Sequence, residues 1–200
     1  KQIKGDNVFV KPNFVEKSEK IVPYSERKNQ FIYVGRLDKL KGVDFLLEAW
    51  KEFCADDFKL VVCGSGPLEQ WCKDYVKNQG LHNVELKGFV ENRIARKMIG
   101  ESKALILPTQ WYEGFPMTIV ESYSVGTPVA GSDLGNIGSL IEEGLSGWKF
   151  AADSKKELCN ALEKAKIAIN GIESSYIEKY SEEKNYMQLR AIYETCCDYN

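Results

Sequence analysis

The chain is poor in the residues that build metal and redox sites. It has one histidine, His82, and none of its six cysteines forms a Cys-x-x-Cys pair or stands at metal spacing from that histidine. The cysteines sit at positions 54, 63, 72, 159, 196 and 197, and Cys54, Cys63 and Cys159 fall in apolar-periodic or strand-like stretches. They read as small core hydrophobes in a reducing compartment rather than disulfides or ligands. His82 precedes a strand-like stretch, LHNVELKG, and a turn role fits it better than catalysis. Long apolar runs are missing too. The longest aliphatic ones are as short as ALIL at 104–107, whereas a membrane helix needs about 20 such residues. The opening KQIKGDNVFVKP lacks the apolar segment of a signal peptide. The absence of an initiator Met suggests a fragment or a processed chain. Positive charge is not in excess: the net charge is −2, with lysines and acids interleaved, which argues against a nucleic-acid partner. Internal repeats and low-complexity segments are absent as well.

What is present is an ordinary globular composition, 44% hydrophobic and 28% charged over 200 residues. That length suits one domain with an appendage and can bury about 70% of its unfolded surface. A polar lead-in, 1–30, contains an apolar patch at 8–10 that reads as a short strand. From residue 31 strand-like and helix-like segments alternate. Strands are expected at 31–35, 58–64, 83–88, 103–108, 127–132 and 147–150, and helices at 42–54, 67–80, 91–101, 116–125, 136–143 and 154–169. Residues 31–170 then form the main unit, and 171–200 carry terminal helices, the last with Tyr186, Leu189, Ile192, Tyr193 and Cys196 on one side. Such alternation implies an α/β fold with a parallel sheet covered on both faces. Ligands of these sheets bind beyond the carboxyl ends of the strands, so the strand-exit loops are where function is sought.

Five exits stand out: GRLDKLKG (35–42), GSGP (64–67), KGFV (87–90), WYEGFPMTIVES (111–122) and GSDLGNIGS (131–139). In the first, Lys41 just before a helix opposes the helix dipole by about 0.3–1 kcal/mol, a penalty a bound anion reverses. Arg36 adds a planar fork beside that point charge, a pair suited to phosphate; a solvated loop fits equally. Gly64 and Gly66 permit close backbone approach to a ligand or a plain tight turn, and Glu69 stands where a dinucleotide fingerprint needs its third glycine. In the fourth exit, Pro116 suits the first helical position, leaving the N–H groups of Met117 and Thr118 to point at an anion. Glu113 lies before that end and Glu121 on the helix, eight residues later. A carboxylate can accept from two neighbouring hydroxyls, so Glu121 could grip a diol; taken singly, a solvated helical acid is the plainer account.

Together, GRLDKLKG, GSGP, NVELKGFV, Glu113-x7-Glu121 and TPVAGSDLG resemble, in order and spacing, the retaining glycosyltransferases of family four (group 1), over about residues 8–165. The resemblance implies the carboxyl-terminal, donor-binding half of a GT-B fold, Rossmann-like, with terminal helices. It implies that Arg36 and Lys41 bind and stabilise the diphosphate of a nucleotide sugar, that Glu121 takes the ribose hydroxyls, and that Glu113 contacts the transferred sugar. Backbone around Gly114, Phe115, Met117 and Thr118 assists, Gly35, Gly64 and Gly66 line the donor site, and the loop near Val90 meets the base. Glu113, Arg36 and Lys41 are the catalytic candidates. No Asp-x-Asp occurs, so neither metal nor other cofactor is expected; the nucleotide sugar is a substrate. Ser139 stands where the family often has an acid. The implied partners are the donor, a saccharide or lipid-linked acceptor, and a missing amino-terminal domain without which transfer is not expected. The implied location is cytoplasmic, with peripheral contact at the inner membrane surface open to the full-length enzyme. A sugar-nucleotide epimerase, a phosphorylase and a non-catalytic nucleotide-sugar module are the alternatives; the first two lack their acid–base or cofactor-lysine context, and the third has no use for Glu113.

Overall fold

The computed structural model describes residues 8–16, 21–53, 56–172 and 174–197. After a 3-10 turn at Tyr24–Glu26, six strands and eight α-helices follow in the described chain, alternating as far as α6: β1 (Lys28–Val34), α1 (Val43–Phe53), β2 (Lys59–Cys63), α2 (Glu69–Asn78), β3 (Val84–Gly88), α3 (Asn92–Gly100), β4 (Ser102–Leu107), α4 (Met117–Ser124), β5 (Val129–Ser132), α5 (Gly135–Leu140), β6 (Gly147–Phe150), α6 (Lys155–Ile167), α7 (Ser174–Lys179) and α8 (Glu182–Cys197). The strands form one sheet in the order β3-β2-β1-β4-β5-β6, and every pairing is parallel. All exits therefore open on one edge. Consecutive strands march outward from β1 to β3, and the chain then returns to the other side of β1 for β4. The order reverses between β1 and β4, and a ligand crevice is expected at such a switch point.

Alternation along the strands divides the core in two. Phe31 and Tyr33 of β1 point to one face, where Phe31 meets Trp50 edge-on with ring centroids 6.1 Å apart and Phe58 at 4.8 Å. Helices α1, α2 and α6 cover this face; α1 does so through Val43, Leu46, Leu47, Trp50 and Phe53, the helical spacing visible in its sequence. Ile32 points the other way, into a cluster with Ile99, Ile119, Val120 and Tyr123, covered by α3, α4 and α5. Tyr176 and Tyr180 join this second cluster, so α7 and the turn after it belong to the core.

Two expectations fail at the amino terminus. Residues 8–10 form no strand: Val8, Phe9 and Val10 are exposed, and both outer strands of the sheet, β3 and β6, are supplied by other segments. The lead-in instead lies along the terminal helices, where Lys11 Nζ and Pro12 O bond the buried Asn185 side chain and the Val15 amide donates to Tyr180 O. The first strand also begins earlier than expected, at Lys28 rather than residue 31, and the amide of Lys28 donates to Glu101 O. Of the cysteines, Cys63 and Cys72 are buried, Cys159 is half-buried and Cys196 exposed, all as free thiols; Cys54 lies outside the described residues. His82 occupies the turn before β3 as expected. Among the described residues no helix is long and apolar enough to cross a membrane. Tyr186 and Tyr193 of α8 are exposed, and Leu189 and Ile192 half-buried.

Candidate functional site

The two loops that leave β1 and β4 meet at the switch point. Their junction depends on Gly42, whose φ is +70° and where a Cβ would stand 1.9 Å from Pro108 O. Only glycine allows the start of α1 to rest against the β4 exit this closely. The Gln110 amide donates to Leu40 O at 2.8 Å and ties the loops further. Within the first loop Asp38 Oδ1 accepts from the Lys41 amide, an Asx-type turn that sets where Lys41 emerges.

Lys41 Nζ and Glu113 Oε1 consequently lie 2.7 Å apart, although 72 residues separate them in sequence. Their side chains are 37% and 20% exposed. Thr109 Oγ1 donates to the same oxygen at 3.1 Å, and no described group occupies Glu113 Oε2. Asn136, on α5, donates its amide to the carbonyls of Glu113 (3.1 Å) and Gly114 and pins the loop backbone. Arg36 reaches outward, 66% exposed, with Asp38 Oδ2 3.2 Å from its Nε. Both expected phosphate-binding cations are thus paired with a carboxylate, which lowers the free positive charge below what the sequence implied.

Pro116 sits one position earlier than expected. It caps α4 with φ −74° and ψ 97°, and the Ile119 amide closes the first turn on Pro116 O at 3.1 Å. The consequence for the helix end is unchanged: among the described residues the Met117 and Thr118 amides have no protein acceptor, which is the normal state of a helix start. The Phe115 ring turns away from the loop and meets Tyr180 edge-on at 6.0 Å, so only its backbone faces the site.

Beside the switch point a cavity of about 490 Å³ opens, lined by Val34, Gly35, Arg36, Cys63, the Gly64–Gly66 turn, Phe89 and Val90. That volume is in the usual range for small-molecule sites. Gly64 makes the floor possible: at φ +146° a Cβ would stand 1.8 Å from Gly35 O. Beneath Gly35, the Tyr33 hydroxyl donates to Arg36 O at 2.7 Å. Burial pushes the Tyr33 hydroxyl well above the ordinary tyrosine range and the Cys63 thiol up to about 11, so both are neutral here. A narrow second recess shares Val34 and Gly35 with this cavity and runs to Lys41, Glu113, Pro116 and Thr118. Eight of the expected residues therefore line one or other of these two adjoining hollows: Gly35, Arg36, Lys41, Gly64, Gly66, Val90, Glu113 and Thr118.

Glu121 is held from a different side. Asn92 Nδ2 donates to its Oε1 at 2.7 Å, and Asn92 lies two residues beyond Val90. Sequence reading missed Asn92, Thr109, Asn136, Asp38 and Phe89. Asp38 had a local signal, since an Asp three residues before Lys41 in a loop is an Asx-turn candidate; Thr109 stands four residues before Glu113 and Phe89 directly before Val90, whereas Asn92 and Asn136 act only across space.

The family model described as "Glycosyl transferases group 1" matches residues 14–183. The chain is 29% identical over 188 residues to the uncharacterized glycosyltransferase MJ1178 of Methanocaldococcus jannaschii, covering 90% of this chain and 52% of that protein. It is 28% identical over 136 residues to the alpha-D-kanosaminyltransferase of Streptomyces kanamyceticus, covering 66% of this chain and 35% of that one. In fold it resembles the lipopolysaccharide outer core galactosyltransferase WaaB, with a TM-score of 0.82 at 23% identity over 96% of this chain and 57% of the other. It also resembles Anabaena Alr3699/HepE in complex with UDP-glucose, with a TM-score of 0.67 at 20% identity over 86% of this chain and 49% of that one. The chain spans about half or less of the length of these curated relatives.

Proposed function

This chain belongs to the group 1 glycosyl transferases, and from that premise we propose that it is the donor-binding half of an enzyme that transfers a sugar from a nucleoside diphosphate sugar to an acceptor. The observation that carries the proposal is the Lys41–Glu113 contact, 2.7 Å long, in a recess that shares Val34 and Gly35 with the glycine-floored cavity lined by Arg36. It sets cation, carboxylate and free helix amides side by side, as a diphosphate flanked by hydroxyls requires.

In the proposed complex the base enters the cavity at Val90, the ribose meets Glu121 and the diphosphate lies against Arg36, Lys41 and the amides of Met117 and Thr118. Stabilising the charge that builds on the leaving group lowers the barrier of such a reaction more than any other single effect. Arg36 and Lys41 provide it, and no metal ion is proposed. The bond from the anomeric carbon to the terminal phosphate oxygen breaks, and its electron pair stays on the diphosphate. The acceptor hydroxyl oxygen bonds the same carbon from the same face, with retention, and its proton passes to that diphosphate. Glu113, with Oε2 unoccupied, positions the sugar through its hydroxyls rather than as a covalent nucleophile.

The UDP-glucose bound by Alr3699/HepE supports a nucleotide sugar as the donor class. A saccharide or lipid-linked molecule is the proposed acceptor, bound mainly by an amino-terminal domain outside this chain, so that these residues alone bind donor weakly and transfer little sugar. Cytoplasmic placement, with peripheral contact at the inner membrane face through that other domain, completes the proposal. Calorimetric titration of the chain with UDP, GDP, ADP and CMP tests it: one nucleoside diphosphate should bind, and Glu121→Ala should weaken it. Binding that ignores Glu121→Ala would remove the assigned ribose contact; no binding in the chain or in a longer one would remove the proposal.

A further inference from the structure

We propose that Asn92 is a positioning residue for the donor ribose, holding the Glu121 carboxylate ready for a vicinal diol; the inference rests on the donor function proposed above. Asn92 opens α3 and Glu121 lies within α4, and the 2.7 Å bond from Nδ2 to Oε1 joins them across 29 residues. One turn further along, Arg96 Nη2 donates to Ser124 Oγ at 3.2 Å. The two helices are therefore in register at two successive contacts, 92 with 121 and 96 with 124. Helix packing, rather than chance side-chain reach, brings Asn92 to Glu121.

The contact has the chemistry of a held acceptor. A carboxylate offers about four lone-pair positions. Asn92 uses one on Oε1, and no described group occupies Oε2, so room remains for two hydroxyl donors. The amide brings a hydrogen bond without a positive charge, so the carboxylate keeps its full negative charge for the ligand. Glu113 is treated differently: its Oε1 carries a lysine. Both Asn92 and the bond are exposed to solvent, where water would satisfy either group. Such a bond contributes little to folding but fixes a flexible side chain, which lowers the ordering cost of ligand capture. Asn92 lies two residues after Val90, which lines the 490 Å³ cavity, so the bond ties the Glu121 carboxylate to the segment that leaves that cavity's wall.

The test is calorimetry on the wild-type chain, Asn92→Ala, Asn92→Asp and Glu121→Ala with UDP and 2′,3′-dideoxy-UDP, or the matching GDP or ADP pair if one of those is the diphosphate bound. Asn92→Ala should weaken UDP by about threefold to tenfold and leave the dideoxy nucleotide unchanged. Asn92→Asp should weaken UDP further through like charge at Glu121, while its melting temperature holds or rises, because an acid at the first turn of α3 suits the helix dipole. If Glu121→Ala weakens UDP and Asn92→Ala does not, the inference falls and the donor function stands. Equal losses for both nucleotides in Asn92→Ala would make the residue structural and also overturn it. If no nucleoside diphosphate binds at millimolar concentration to this chain or to a longer one, the donor function fails and this inference with it.

Discussion

Strand β1 has an arginine at each end, and the two live in opposite conditions. Arg27, at the amino end, is buried and held by four hydrogen bonds. Its Nε donates to Val22 O at 3.1 Å, Nη1 to Ser102 O at 3.3 Å and Thr127 Oγ1 at 2.7 Å, and Nη2 to Val125 O at 3.0 Å. The Tyr24 ring lies 5.3 Å from its guanidinium carbon. Burial pulls its pKa down to about 10. Arg36, at the carboxyl end, is largely exposed and has one carboxylate neighbour, Asp38. The same residue type is structural where the fold supplies its acceptors and available where it does not. Size of the nearby hollow is a poorer guide. The amino end carries the larger one, about 1240 Å³, but it is lined by charges of both signs, with Lys28 tied to Glu101 and Lys166 to Asp57.

The strongest way to sharpen the contrast is to remove both arginines separately. In the full-length enzyme Arg36→Ala should lower sugar transfer about 10²–10³-fold and change stability by less than about 0.5 kcal/mol. Arg27→Ala should do the reverse, costing about 2–4 kcal/mol in urea denaturation because buried carbonyls and Thr127 lose their donor, with nucleotide affinity intact in the folded fraction. If Arg36→Ala destabilised as much as Arg27→Ala, the distinction would collapse.

Gly42→Ala probes the junction itself. With φ at +70° and the Pro108 carbonyl in the way, it should cost about 1–3 kcal/mol in denaturation and reduce transfer by separating Lys41 from Glu113. A change confined to stability would show that the loop contact can be spared.

A smaller effect is expected at the ion pair. Lys41 and Glu113 are too exposed for their contact to exceed about 1 kcal/mol. Glu113→Gln should therefore leave stability nearly unchanged and, by releasing Lys41, leave free UDP bound equally or up to about threefold tighter. Transfer of sugar should still fall. Calorimetry beside an activity assay separates the two. The smallest readout is chemical: at pH 8 a thiol reagent should label Cys196 quickly, and spare Cys63, whose burial holds its thiol near 11, as peptide mass mapping would show.

Much of this was legible along the chain. The apolar spacing of α1, the glycine after α2, the β-branched and aromatic residues of β1 and the aliphatic run of β4 are signals carried by neighbouring residues, and the corresponding elements form within a few residues of expectation. The lead-in was misread at residues 8–10 because an apolar patch needs a free sheet edge to become a strand, and edges are a property of the assembled sheet. Asn92 and Asn136 were missed for the same reason: each is an unremarkable polar residue until a distant carboxylate or carbonyl is brought to it.

By itself, then, the sequence determined the alternating elements, the glycine-bearing turns and the set of charged residues gathered at strand exits, since backbone propensity and apolar period are local. The tertiary structure alone decided the strand order that reverses between β1 and β4, and with it that Lys41 meets Glu113 and Asn92 meets Glu121. Those pairings depend on crossovers and helix packing that join residues 72 and 29 positions apart, and no local preference encodes which distant partner a side chain will find.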